Sequence, residues 1–193
     1  MSPDSGMETE IKLAVSDRMT AEGLLRNAGF SVSRSRIFEQ NSVYDRPDGS
    51  LRSQGNLLRL RSAGERSVLT WKGPEIPGPH KSRPETEVIV DSFEKCDQIL
   101  QQLGFGVTFL YEKFRTEWVL SGAAGVATLD ETPIGVFLEL EGTSDWIDAT
   151  AQTLGFRPSD YILESYGSLY FAFCREQNRA PGFMQFAPGF MQV

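Results

Sequence analysis

The chain has 193 residues, enough for one sizeable core and short for two, and its 40% hydrophobic and 23% charged content is ordinary for a globular protein. A formal net charge of −7 argues against a nucleic-acid surface, where a basic excess supplies the affinity, but leaves room for a local basic pocket. Two cysteines give no disulfide framework, no stretch reaches the length of a membrane span, and Met1 to Met7 lack an apolar leader core, so the expectation is a cytoplasmic protein without a membrane partner.

In chain order, residues 7–15 read as a strand. Thr20 to Ala28 predicts a helix, with Ala21, Leu24, Leu25 and Ala28 at i, i+3, i+4, i+7 and Gly29 as the stop. A strand over 35–45 reaches the turn Asp45-Arg46-Pro47-Asp48-Gly49. Leu57 to Ala63 and Ser67 to Lys72 form a hairpin around Gly64. Gly73 to Pro79 holds three prolines and two glycines and is a loop. Strand 83–91 follows, then a helix capped by Ser92 whose apolar side carries Phe93, Cys96, Ile99, Leu100 and Leu103. Strands at 107–121, 125–130 and 135–141 precede a helix over 145–154, and Ile162 to Glu176 is helical or extended. This order is α+β, with enough strands to close a barrel. The expected organisation is a flexible 1–6, one catalytic domain over 7–176, and a tail over 177–193. In that tail Ala180-Pro-Gly-Phe-Met-Gln recurs from Ala187. The tail reads as a frayed appendage that Pro-Gly keeps irregular; a docking peptide built on Phe183, Met184, Phe186 and Phe190 is the rival reading.

The charged residues are patterned. Three Glu-x-Glu pairs, at Glu8 and Glu10, Glu85 and Glu87, and Glu139 and Glu141, each precede a helix-like segment ending in Gly-Phe. Strand side chains alternate between faces, so each pair points one way. The other face carries Ile11 and Leu13, Val88 and Val90, or Leu138 and Leu140. Seven cations, Lys12, Arg59, Arg61, Lys72, Arg83, Lys113 and Arg115, match seven carboxylates, the three pairs and Asp130. Burying so many ions only as structural pairs is costly, because desolvation often exceeds the Coulombic return. A polyphosphate on the cations and a hard divalent ion such as Mg²⁺ or Mn²⁺ on the carboxylates is the better use. The sole histidine, His80, sits in the Pro/Gly loop, which excludes histidine-rich zinc sites and Ser-His-Asp triads; no Gly-x-x-x-x-Gly-Lys-Ser/Thr run occurs. Trp71, Trp118 and Trp146 read as core packing residues rather than base-stacking platforms.

Glu8-Thr9-Glu10-Ile11-Lys12 resembles the E-x-E-x-K signature of the CYTH superfamily, the triphosphate tunnel metalloenzymes. Further blocks follow in the family's order: Leu58-Arg59-Leu60-Arg61, Leu69 to Pro74, Arg83 to Glu87, Glu112-Lys113-Phe114-Arg115, Leu129-Asp130, Phe137 to Glu141, and a late Ser165-Tyr166. The Lys72-to-Glu87 arrangement is most similar to the class IV adenylyl cyclase branch. The resemblance implies an eight-stranded antiparallel closed β-barrel with helices packed outside. It implies catalytic roles for Glu10 and Lys12 and a metal on Glu8, Glu10, Asp130, Glu139 and Glu141. A triphosphate would be held by Lys12, Arg59, Arg61, Lys72, Arg83, Lys113 and Arg115, with Glu85 and Glu87 as orienting groups or a further metal site. The implied substrate is ATP, tripolyphosphate or thiamine triphosphate, handled by a cyclase, a triphosphatase or a non-catalytic polyphosphate-binding protein, alone or as a homodimer. Val43-Tyr44-Asp45-Arg46-Pro47 departs from the family's Tyr-Phe-Asp-Thr-Pro, which leaves the role of Asp45 open.

Overall fold

A computed structural model describes residues 6–188, in which eight strands and five α-helices follow one another. They are β1 (Met7–Val15), α1 (Arg18–Asn27), β2 (Ser31–Asp45), α2 (Ser50–Ser53), β3 (Leu57–Ala63), β4 (Arg66–Lys72), β5 (Lys81–Val90), α3 (Phe93–Gln102), β6 (Gly106–Val119), β7 (Val126–Thr132), β8 (Gly135–Glu141), α4 (Ser144–Thr153), a 3₁₀ turn (Pro158–Asp160) and α5 (Tyr166–Glu176). The strands close in the order β1-β5-β4-β3-β2-β6-β7-β8, the eight-stranded antiparallel barrel expected from the sequence.

The repeated Gly-Phe is a helix stop. Gly29, Gly104 and Gly155 all take positive φ, between 86° and 89°, directly after the last turns of α1, α3 and α4. Each following Phe donates its N–H five residues back, Phe30 to Leu25 (3.0 Å), Phe105 to Leu100 (3.0 Å) and Phe156 to Ala151 (2.9 Å). This is the Schellman arrangement: glycine accepts the left-handed turn without penalty, and the Phe returns to cover the helix end. At the other end, Asp17 accepts the Thr20 N–H at 2.8 Å, and Ser92 accepts that of Lys95 at 3.2 Å, as its N-cap reading requires.

The chain divides into two compact units. One takes residues up to Ile37, Ile76–Ser82 and Phe114–Glu164. Its core packs α1 and α4, through Ala21, Leu25, Ile147 and Ala151, on Ile11, Leu13, Leu129, Leu138 and Leu140. A fully buried Leu or Ile contributes roughly 1.5–3 kcal/mol, so this face anchors the helices firmly. The other unit takes Phe38–Glu75, Arg83–Lys113 and the chain from Ser165 onward. There α3 packs Phe93, Cys96 and Leu100 on Tyr44, Leu58, Leu60, Leu69 and Val90. Val88 of β5, and Ile99 and Leu103 at α3, read as part of the apolar faces, are instead more than half exposed; the packed stripe of α3 is narrower than its apolar pattern.

The tail departs from its reading as a frayed appendage. Met184 is fully buried and bridges β6 at Tyr111 as a short parallel partner. Residues 1–5 and 189–193, including Phe190, lie outside the described residues.

Candidate functional site

In the first unit the strand register assembles a chain of ions on the face opposite the helices. Residues directly opposite in an antiparallel pair share a face. Glu10 lies opposite Glu141, Lys12 opposite Glu139, and Arg115 opposite Asp130. Lys12 Nζ stands 3.1 Å from Glu10 Oε1 and 3.2 Å from Glu139 Oε1, so one ammonium bridges two carboxylates. Lys81 Nζ approaches Glu10 Oε1 at 2.9 Å. Arg115 forks onto Asp130, Nε to Oδ1 at 2.7 Å and Nη2 to Oδ2 at 2.6 Å, and Nη2 also donates to Glu139. Asp130 is fully buried and Glu8 is buried, whereas Glu141 is exposed. Burial alone would lower the pKa of Lys12, but Glu10 and Glu139 raise it above the ordinary 10.5. Lys12 is therefore a cation at neutral pH.

In the second unit the face opposite α3 carries a second set. Arg59 lies opposite Thr70, which lies opposite Glu87; Lys72 lies opposite Glu85. Thr70 donates to Glu87 Oε1 at 2.7 Å, and that oxygen receives Arg59 Nη2 at 3.4 Å and faces Arg61 Nη2 at 3.7 Å. Arg59 Nη1 donates to the Tyr111 hydroxyl at 3.2 Å. Burial works against the guanidinium of Arg59, yet Tyr111, Glu87 and Glu85 hold its pKa above the ordinary value. Burial raises the pKa of Tyr111, but Arg59 and Lys113 outweigh it and bring it below 10.0. Lys72 Nζ meets Glu85 Oε2 at 3.2 Å. Glu39, almost fully buried, faces Arg61 at 3.8 Å and Lys113 at 3.7 Å, and Lys113 Nζ sits 5.1 Å from the Tyr166 ring centroid. Arg83 is buried in the same unit.

Every cation named from the sequence thus lies on a strand, and Lys12, Arg59, Arg61, Lys72, Lys113 and Arg115 each stand beside a carboxylate. Glu85 and Glu87 face cations. Among the described residues no group of three or more His, Cys, Asp or Glu is gathered in a metal-ligating cluster. Asp45 is a structural acceptor: Oδ1 takes the N–H of Arg46 (2.7 Å) and Leu51 (2.9 Å), and Oδ2 that of Arg52 (3.0 Å), which seats α2. Sequence reasoning missed Lys81, Glu39 and Tyr111. Lys81 continues the alternation Arg83, Glu85 two residues upstream, and starting that strand at its observed first residue would have found it. Tyr111 likewise lies two residues before Lys113 in the alternation of β6, whereas Glu39 opens the polar run Glu39 to Ser42 with no charged neighbour at strand spacing.

The family model described as the CYTH domain matches residues 6–154. A Methanocaldococcus jannaschii protein named "Putative adenylate cyclase" is 30% identical over 136 residues, covering 70% of this chain and 76% of the relative. Among solved structures, the PH1819 protein of Pyrococcus horikoshii is 25% identical with a TM-score of 0.71, covering 86% of this chain and 99% of that one. A Hippeastrum protein described with a dominant triphosphatase activity is 17% identical with a TM-score of 0.60, covering 90% and 97%, a likeness of fold. Among the described residues, no helix is long and apolar enough to cross a membrane.

Proposed function

The chain belongs to the CYTH domain family, and on that premise we propose that it is a divalent-metal-dependent enzyme that converts ATP to cyclic AMP and pyrophosphate. The observation that carries this reading is the buried cations on strand faces: Lys12, Arg59, Lys72, Arg83 and Lys113 are each less than a tenth exposed. Ion pairing alone often fails to offset the desolvation of so many charges, whereas a triphosphate gives them a ligand.

A hard divalent ion would draw together carboxylates that, among the described residues, are not already gathered as a ligand set. Glu10 and Glu139 already converge on one cation, the Lys12 ammonium, and offer the oxygen donors that Mg²⁺ and Mn²⁺ prefer. We assign the ion to Glu8, Glu10, Asp130, Glu139 and Glu141. When bound, it would neutralise phosphate charge and lower the pKa of the attacking hydroxyl. Arg59 and Arg61 would grip phosphate oxygens through their forked donors, with Glu87 and Thr70 fixing the Arg59 plane. Lys12, Lys72, Arg83, Lys113 and Arg115 would add charge. In the cyclase reaction the ribose 3′-hydroxyl gives up its proton to solvent, its oxygen bonds to the α-phosphorus, the bond from that phosphorus to the bridging oxygen breaks, and pyrophosphate leaves with the electron pair.

A second reading, hydrolysis of tripolyphosphate or thiamine triphosphate by water at the terminal phosphorus, is favoured by the activity described for the Hippeastrum protein of the same fold. The test incubates pure protein with Mg²⁺ or Mn²⁺ and ATP, tripolyphosphate or thiamine triphosphate in parallel. Cyclic AMP with pyrophosphate is the expected product. Orthophosphate alone supports the hydrolase, and no turnover of any substrate overturns both.

A further inference from the structure

We propose that the paired segment of β6 around Tyr111 is a docking site for the peptide Ala-Pro-Gly-Phe-Met-Gln, and that the second repeat, Ala187–Gln192, is an alternative occupant of the site that the first repeat fills. The first repeat is held at six points. Gly182 N–H donates to the Tyr170 hydroxyl (3.4 Å), which donates to the Phe183 carbonyl (3.1 Å). Met184 N–H donates to the Leu110 carbonyl and accepts the Glu112 N–H on its own carbonyl, both at 2.9 Å. The Gln185 amide and the Phe186 N–H each donate to one oxygen of Glu112, both at 3.0 Å. The Met184 side chain is fully buried. This is strand addition to a sheet, in which backbone bonds give affinity and a side-chain pocket gives choice.

None of those six contacts uses a group that the second repeat lacks. Seven residues on, Gly189, Phe190, Met191 and Gln192 offer the same backbone and side-chain groups, and Val193 supplies the N–H that Phe186 gives. A shift by one repeat lengthens the connection from α5 by seven residues, and loop-closure cost rises only logarithmically with length. Attachment to the same chain gives the second repeat an effective concentration in the millimolar range, well ahead of a tail from another molecule. Neither repeat alone is therefore needed, but one of them is. The docked segment pins Leu110 and Glu112, which flank Tyr111, the residue whose hydroxyl accepts Arg59. Where the triphosphate reading holds, and this clause rests on it, an empty dock loosens the phosphate grip.

The test compares Met184→Asp, Met191→Asp and the double variant in the full chain, by thermal unfolding, amide exchange at Glu112 and sizing chromatography. Each single variant is expected within about 2 °C of wild type, with Glu112 still protected; the double variant is expected to lose about 5 °C or more and to exchange Glu112 at least about tenfold faster. Met184→Asp in a chain ending at Phe186 must match the double variant. Failure of the double variant to fold beside a folded Met184→Asp also supports the proposal. If Met184→Asp alone falls as far as the double variant, or fails to fold, the second repeat does not dock. If it keeps its stability only as a dimer, the second repeat docks between molecules and the assignment within one chain is overturned. The KM for tripolyphosphate, expected to rise only in the double variant, is read separately. An unchanged KM beside a clear stability loss leaves the dock standing and removes its link to Arg59.

Discussion

At residue resolution, Lys12 shows how the ions constrain one another. Its pKa is raised, so its stabilising charge is fully present below the ordinary 10.5 and is lost only as pH rises through the still higher folded value. Removing either carboxylate that it bridges should leave the fold in place and disable the chemistry. Glu10→Gln and Glu139→Gln are each expected to lower turnover at least about a hundredfold, the scale of losing a strong electrostatic contribution, and excess chelator should abolish wild-type activity. Steady-state rates beside far-ultraviolet dichroism check this; full turnover in chelator would remove the metal from the proposal. Asp45 is the contrasting carboxylate, outside the ion chains. Burial raises its pKa, but the N–H groups of Leu51, Arg52 and Arg46 outweigh that and hold it below the ordinary 3.8. Its contribution is therefore present above about pH 3.8 and disappears as pH falls through the lower folded value. Asp45→Asn should cost about 1–2 kcal/mol at pH 7, and the gap to wild type should close on acidification below that point, read from urea midpoints across pH.

Among the elements, those with a local chemical signature were legible in the sequence. The Gly-Phe stops of α1, α3 and α4 and the Ser92 cap are fixed by neighbours within a few residues, and the Glu-x-Glu alternation follows from strand pleating alone. What escaped depended on distance along the chain. Lys81 reaches Glu10 across 71 positions, and its strand begins directly behind a proline-rich loop that masked it. Glu112 receives Gln185 and Phe186 across more than 70 positions, so the docking of the tail had no local sign. α2 was missed because its four residues are organised by Asp45 rather than by a periodic apolar face. The packing of α4 likewise rests on glycines that look like loop residues. A Cβ on Gly125 would lie 2.2 Å from the Trp146 ring, and one on Gly142 would lie 2.9 Å from it. Gly125 has no positive φ, so the clash alone decides the outcome. Gly125→Ala should destabilise by about 1–3 kcal/mol, the cost of overpacking, and redden the tryptophan emission as Trp146 is displaced. An unchanged melting temperature would show that the indole can move without loss.

For the whole molecule, a net charge of −7 coexists with buried cations that carry the proposed function. Those cations have carboxylate partners in the protein, so a polyanion must compete with groups already present, and part of its affinity is spent displacing them. The arginine set should respond most plainly, because Arg59 and Arg61 share one oxygen of Glu87 at 3.4 and 3.7 Å. Arg61→Ala removes one competitor for that oxygen and should lower the melting temperature by no more than about 4 °C, since its pair with Glu87 is partly exposed and Lys113 still faces the buried Glu39. A ligand that binds only the folded state raises stability by RT ln(1 + [L]/Kd), which is about 2.7 kcal/mol at a hundredfold excess over Kd. In a chain of this size that corresponds to a rise of roughly 5–10 °C. Tripolyphosphate with Mg²⁺ should therefore raise the melting temperature of the wild type by that amount, and the rise, read against each variant's own unliganded melting temperature, should shrink in Arg59→Ala and Arg61→Ala. Orthophosphate, with one phosphate to offer, should give a much smaller rise at the same concentration. A wild-type protein that shows no shift with millimolar tripolyphosphate and metal would leave these buried cations as structural partners of their carboxylates and nothing more.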